Sequence, residues 1–434
     1  MNKPAEPLTP ATVSASALAA LIDEQAPALE AAVIAWRRDL HQHPELGNRE
    51  FRTAGIVADH LRALGFDEVR TGVAHTGVVG LLKGGQPGPV VALRADMDGL
   101  PVTEFNELPF RSQVRTQWNG EEVGVMHACG HDCHVAILMG VARLLAGLRE
   151  HIAGSVKFIF QPAEEMPPPG EEGGAKMMVA EGALENPRPG AIFGLHVTSR
   201  QQAGRIGWRS GPTMASSDYF RIEVQGRQTH GAAPWLGVDP IVTSAQIVLG
   251  LQTIVSRTQE ITREPAVVTV GIIKGGVREN IIPDQVEMRG TIRTFDEGMR
   301  DDIHERVTTL AEAIARGNKA GCQVCVQKNY PVTVNDPALT AAMLPTLQRV
   351  GGAQLEHIDK VTGSEDFSFF QREVPGLFVF LGVTAPEIDA RTAPPNHSPL
   401  FRVDESALLP GVRLLAHLSC DWLGGAAQAE GTAR

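Results

Sequence analysis

Within eight residues the sequence gathers three imidazoles and two thiols: His127, Cys129, His131, Cys133 and His134. A thiol and an imidazole two residues apart can face one ion from an extended turn, and that donor set suits zinc and its transition-series neighbours. The same stretch also reads as an ordinary helix entry, with Asp132 as cap and His127 and His134 on the surface. Glu164 and Glu165 are adjacent, so one carboxylate can hold a cation while the other moves protons. Near a divalent ion both stay ionised, whereas without one they repel. Seen alone, they also read as two acids in a solvated loop. His196 and His397 fit either ligand roles or ordinary core and loop positions. His230, in Gln228-Thr-His-Gly-Ala-Ala-Pro-Trp, can donate to a developing oxyanion or sit idle in a turn. Cys129 as a nucleophile lacks an evident third orienting group and ranks below its ligand reading.

The elements that would carry these residues alternate strand, helix and strand. Helical spacing over about Ala17–Leu64 predicts two helices. Short apolar runs at Gly77–Leu82, Pro89–Arg94 and Ser155–Phe160 predict buried strands, and Val135–Leu148 predicts a helix. The expected class is α/β, a mainly parallel sheet flanked by helices. Chemistry in such sheets gathers beyond the carboxyl ends of strands. Asp96-Met-Asp98, Glu164-Glu165 and His196 all fall at expected strand ends, with a proline-rich loop, Met166–Gly174, beside them. From Gly204 the pattern becomes α+β, which predicts an inserted domain over 204–327 within a main domain of 1–203 and 328–434. Cys322 and Cys325 lie inside an alternating strand of that insert, so their redox-like spacing reads as structural. A strand at Gly376–Gly382 and a helix from about Glu405 to Leu418 close the main domain, and 424–434 reads as a loose tail.

At 434 residues the chain suffices for two or three domains and needs no metal merely to fold. A net charge of −11 argues against nucleic acid as partner. No apolar run approaches the ~20 residues that span a bilayer. The early Ala17–Ile22 run is too short for a secretory core, so a soluble, unexported chain is expected. Five scattered cysteines are no disulfide framework, and a reducing cytoplasm is the expected location. No glycine-rich nucleotide loop follows a strand.

Taken in order, nine segments resemble the M20 metallopeptidase family. They begin with Arg38-Asp-Leu-His-Gln-His-Pro-Glu-Leu, Ala92-Leu-Arg-Ala-Asp-Met-Asp-Gly-Leu-Pro and Met126-His-Ala-Cys-Gly-His-Asp. Phe160-Gln-Pro-Ala-Glu-Glu, Gly194-Leu-His-Val and Thr229-His-Gly-Ala-Ala-Pro follow. The last are Gly275-Gly-Val-Arg-Glu-Asn, Gly363-Ser-Glu-Asp-Phe and Asn396-His-Ser-Pro. The similarity is to the amidohydrolase branch, with hippurate hydrolase, N-acyl-amino-acid deacylases and auxin-conjugate hydrolases. It implies two divalent metal ions (zinc, manganese, nickel or cobalt) held by Cys129, His131, Glu165, His196 and His397. It also implies Glu164 as general base and Asp96 as supporting carboxylate. His230 and Asn280 would come from a lid that pairs in a homodimer, binding the oxyanion and the carboxylate of an N-acyl amino acid. A dipeptidase or carboxypeptidase specificity is the alternative. Where exopeptidase branches carry His-x-Asp this chain has Arg94-Ala-Asp96, and Cys129 stands where they use a bridging aspartate.

Overall fold

The computed structural model describes residues 14–432, with side chains described through residue 425. The chain forms two compact units. The first takes in the chain to Ser210, Asn335–Ile358 and the chain from Phe369; the second is Gly211–Val334 with Asp359–Ser368. The division falls later than the expected Gly204 because the strand Ile206–Trp208 hydrogen-bonds to Gly376–Thr384 of the first unit. The second unit extends past 327 because Thr333–Asn335 pairs with Gly211–Met214.

The first unit is a mixed α/β layer around an eight-stranded sheet. In spatial order the strands are Glu68–Val73, Gly77–Lys83, Ala153–Gln161, Gln86–Asp96, Ala191–Gln202, Gly376–Thr384, Ile206–Trp208 and Leu355–His357. Its central run from Ala153–Gln161 to Gly376–Thr384 is parallel, while Gly77–Lys83 runs antiparallel on one side. Central strands of this kind are covered on both faces, which explains their unbroken Val, Ile, Leu and Phe runs. Helix His131–Gly147 crosses this core with nearly every residue buried, from His131 through Leu145. The N-terminal region forms three α-helices instead of two, Ala15–Gln25, Glu30–Gln42 and Phe51–Ala63. Pro27 lies at the start of the short 3₁₀ turn Ala26–Leu29 that separates the first pair, as expected where a ring replaces the backbone N–H. The final helix, Leu408–Thr432, continues through most of the stretch read as a tail.

The second unit is a four-stranded antiparallel sheet, ordered Ala266–Gly275, Gln285–Thr294, Ser217–Gln225 and Gly321–Tyr330. Strand alternation turns Phe220, Ile222 and Val224 inward, where they meet Ile247 and Leu251 of Pro240–Thr253 and Ile303 and Val307 of Glu297–Gly317. Asp239 and Asp296 cap these two helices by accepting from first-turn N–H groups. All five cysteines are free, and among the described residues no helix is long and apolar enough to cross a membrane.

Candidate active site

Two strand ends, the interior of a third strand and one helix start converge in the first unit. Gln86–Asp96 delivers Asp96 and, two residues on, Asp98. Ala153–Gln161 leads into Glu164 and Glu165. His196 corrects the expectation of a strand end, because it lies inside Ala191–Gln202, opposite Phe380 of the next strand. Helix His131–Gly147 begins at His131 itself. Gly130 caps it in a left-handed conformation, φ 92°, and a Cβ there would lie 2.3 Å from Val197 Cγ2, so only glycine fits this turn. That turn sets Cys129 and His131 side by side. His397 sits in the loop after Gly376–Thr384, its N–H donating to Ala128 at 2.8 Å.

The donors form two triads that share one sulfur. The ligand atoms of Cys129, His131 and His196 lie within 4.8 Å of one another, as do those of Cys129, Glu165 and His397. Cys129 Sγ is 3.4 Å from His196 Nε2 and 3.2 Å from His397 Nε2, and His397 Nε2 is 2.8 Å from Glu165 Oε1. A third grouping joins His131, Glu164 and Glu165, with Glu164 Oε2 at 4.0 Å from His131 Nε2. All five expected ligands and Glu164 are therefore neighbours.

The electrostatics fit a cation. Burial, reinforced by the charges of Glu165 and Glu164, pushes the Cys129 thiol well above its ordinary range, so a thiolate here needs positive charge beside it. Burial opposes a charge on His131, but Asp96 and Asp98 prevail and raise its pKa to about 10. His131 Nε2 is buried without a hydrogen-bond partner, the atom that a metal would take. His196 is fixed in the matching tautomer: Nδ1–H donates to Val197 O at 2.7 Å, leaving Nε2 toward the sulfur. Thiolate, imidazole and carboxylate together are the donor chemistry of zinc-like ions.

Asp96 is wholly buried and accepts from Arg94 Nη1 at 2.7 Å and from His134 Nδ1. His134 Nε2 in turn accepts the Val197 N–H at 2.8 Å. The surface reading of His134 and His127 is thus wrong: both are buried, since every side of this helix entry faces protein. Burial brings His127 down to about 4. Nor does Asp132 cap the helix; its Oδ2 accepts from Arg37 Nε at 2.8 Å and lies 2.9 Å from His41 Nδ1. His230 and Asn280 belong to the second unit, where they are neighbours. His230 pairs with Ile281, and the Gly231 N–H donates to Asn280 O at 2.8 Å. The Ala232 N–H donates to His230 Nδ1 at 2.9 Å, which puts the ring proton on Nε2 of an exposed imidazole. Sequence reasoning left Asp98, Glu50 and Arg37 without roles. Asp98 stood in a quoted cluster, but nothing local reveals which residues it reaches.

A family description, Peptidase family M20/M25/M40, matches residues 92–421. The chain belongs to this peptidase family. It is a hydrolase of amide C–N bonds. Thermostable carboxypeptidase 2 of Saccharolobus solfataricus is 40% identical over 387 residues, 89% of this chain and 93% of that protein. N-acetylcysteine deacetylase of Bacillus subtilis is 38% identical over 387 residues, 89% and 96% respectively. A Bacillus subtilis crystal structure, described as a dinuclear metal binding peptidase from the M20 family, superposes with a TM-score of 0.76 at 35% identity, covering 92% of this chain and 99% of that one.

Proposed function

We propose that this M20 protein is a metal-dependent amidohydrolase that cleaves N-acyl amino acids, aromatic or aliphatic, to a carboxylic acid and a free amino acid. The observation that carries this reading is the pair of donor triads sharing Cys129, with Glu164 beside them. Cys129, His131 and His196 would hold one divalent ion, and Cys129, Glu165 and His397 the other. Zinc, manganese, nickel and cobalt all suit these donors. Such a pair supplies Lewis acidity, lowering the pKa of a water from 15.7 toward about 7 and polarising the scissile carbonyl.

The chain's own groups do the rest. Glu164 takes the proton of the attacking water and returns it to the leaving nitrogen, so the C–N bond breaks as an amine departs. Asp96, clamped by Arg94 and His134, keeps a fixed negative charge 3.7 Å from His131 Nε2. His230, with its proton on Nε2, is the proposed donor to the oxyanion. Exposed Asn280, beside it, is the proposed partner of the substrate carboxylate. We propose a homodimer formed through the second unit, supported by exposed Ile272 and Ile273 on its edge strand and Leu249 on its helix.

Glu164→Gln is expected to keep its metal while losing on the order of 10²- to 10⁴-fold in turnover. Full activity in this variant would remove Glu164 from the role of base. A second reading, carboxypeptidase specificity on the same site, is favoured by the thermostable carboxypeptidase relative. Comparing kcat/KM on N-acetyl and N-benzoyl amino acids with that on short peptides separates the two.

A further inference from the structure

Asp98 is buried, and each of its carboxylate oxygens accepts one hydrogen bond from a different part of the site. Oδ1 takes His131 Nδ1–H at 3.1 Å, and Oδ2 takes the Glu165 N–H at 2.9 Å. His131 belongs to one triad and Glu165 to the other. We infer that Asp98 is a positioning residue that sets both proposed cation sites at once. This rests on the two-cation reading above.

The first bond fixes a tautomer. With one proton held on Nδ1, a cation that displaces the other would be met by Nε2, the buried atom that has no partner. A carboxylate behind a ligating imidazole also makes the ring a better donor. The second bond fixes a turn. Ala163 and Met166 on either side of the two glutamates have φ of 51° and 87°, backbone conformations that persist only where surroundings over-determine them. Two buried acidic side chains do so here: Asp98 Oδ2 accepts the Glu165 N–H, and Glu50 Oε1 accepts the Ala163 N–H at 2.9 Å. The N–H groups of Ala163 and Glu165 are thus gripped by Glu50 and Asp98, with Glu164 between them.

An amide cannot stand in for Asp98. Both of its partners donate, whereas asparagine offers one accepting oxygen and one donating nitrogen, so one bond is lost whichever way the amide turns. Loss of such outer partners typically costs 10- to 100-fold in metal affinity.

The test uses the full chain, wild type and Asp98→Asn, stripped of metal and reloaded with zinc under chelator competition. Melting temperatures are recorded for stripped and loaded forms. Asp98→Asn should raise both stepwise zinc dissociation constants by about 10- to 100-fold. The rise in melting temperature on loading should be smaller in the variant than in the wild type, each measured from its own stripped form. Unchanged constants, or a change in only one, would overturn the inference. So would a variant that melts lower when stripped yet gains as much on loading as the wild type. A wild type that binds no zinc would instead defeat the two-cation reading. Should the variant not fold, nitrogen-15 histidine shifts of the loaded wild type decide: Nδ1–H on His131 is expected, and Nε2–H overturns the proposal.

Discussion

A single buried acid shows how strongly this interior shapes its residues. Glu50 is fully enclosed, and burial, aided by the charge of Asp98, pushes its pKa up to about 8. An acid whose pKa rises on folding stabilises the fold most at low pH. That contribution fades as pH climbs from the unfolded value, 4.5, to about 8, because the unfolded chain ionises while the folded one keeps its proton. The Thr76 hydroxyl bonds to Glu50 Oε2 and the Ala163 N–H donates to Oε1, so Glu50→Gln keeps an oxygen for Ala163 and offers its amide to the Thr76 oxygen, and its melting temperature should fall less than the wild type's between pH 5 and 9. Parallel pH profiles would show that Glu50 is ionised throughout. Gly130 provides a second residue-scale test. Gly130→Ala must place a Cβ against Val197 in a left-handed turn, at a cost of about 1 to 3 kcal/mol, read from urea unfolding. Wild-type stability in that variant would mean that the turn before His131 is not constrained as described.

The elements were legible in the sequence wherever their pattern was local. The strands at Gly77–Lys83, Ala153–Gln161 and Gln285–Thr294 and the helix at Glu297–Gly317 follow from apolar runs, alternation or 3.6-residue spacing bounded by turn residues. Helix His131–Gly147 was visible too, but not its complete burial, because a helix apolar all round carries no stripe to say which histidines face outward. In the second unit, Asp218 joins the sheet to the helix. Burial alone would raise its pKa, yet bonds from Arg300, His304 and the Asn329 N–H hold it at about 2. A folded pKa below the unfolded 3.8 gives stability that is complete above that value and lost as pH falls toward 2, worth about 2 kcal/mol. Hydrogen exchange in the strand Ser217–Gln225 should therefore accelerate between pH 4 and 2, once corrected for intrinsic rates. Asp218→Asn should lose most of that acid dependence; retention of the full wild-type dependence would exclude Asp218 as its source.

At the scale of the whole molecule, the ordered motifs disclosed the family and named the candidate ligands. They did not disclose the wiring behind the ligands, because Asp98 with Glu165, Glu50 with Ala163 and Arg37 with Asp132 are separated by 67, 113 and 95 positions in the chain. Nor did spacing reveal that the five donors divide into two triads about one sulfur. The proposed pairing of second units predicts a dimer of about twice 46.5 kDa by light scattering, reduced to monomer by charge introduced at Ile272 and Ile273. A monomer in the wild type would refute that pairing. The central claim concerns the shared sulfur. Anomalous diffraction at the zinc edge, from crystals of the zinc-loaded protein, should give two peaks. One belongs with Cys129, His131 and His196, the other with Cys129, Glu165 and His397. A single peak, or peaks remote from Cys129, would contradict the account.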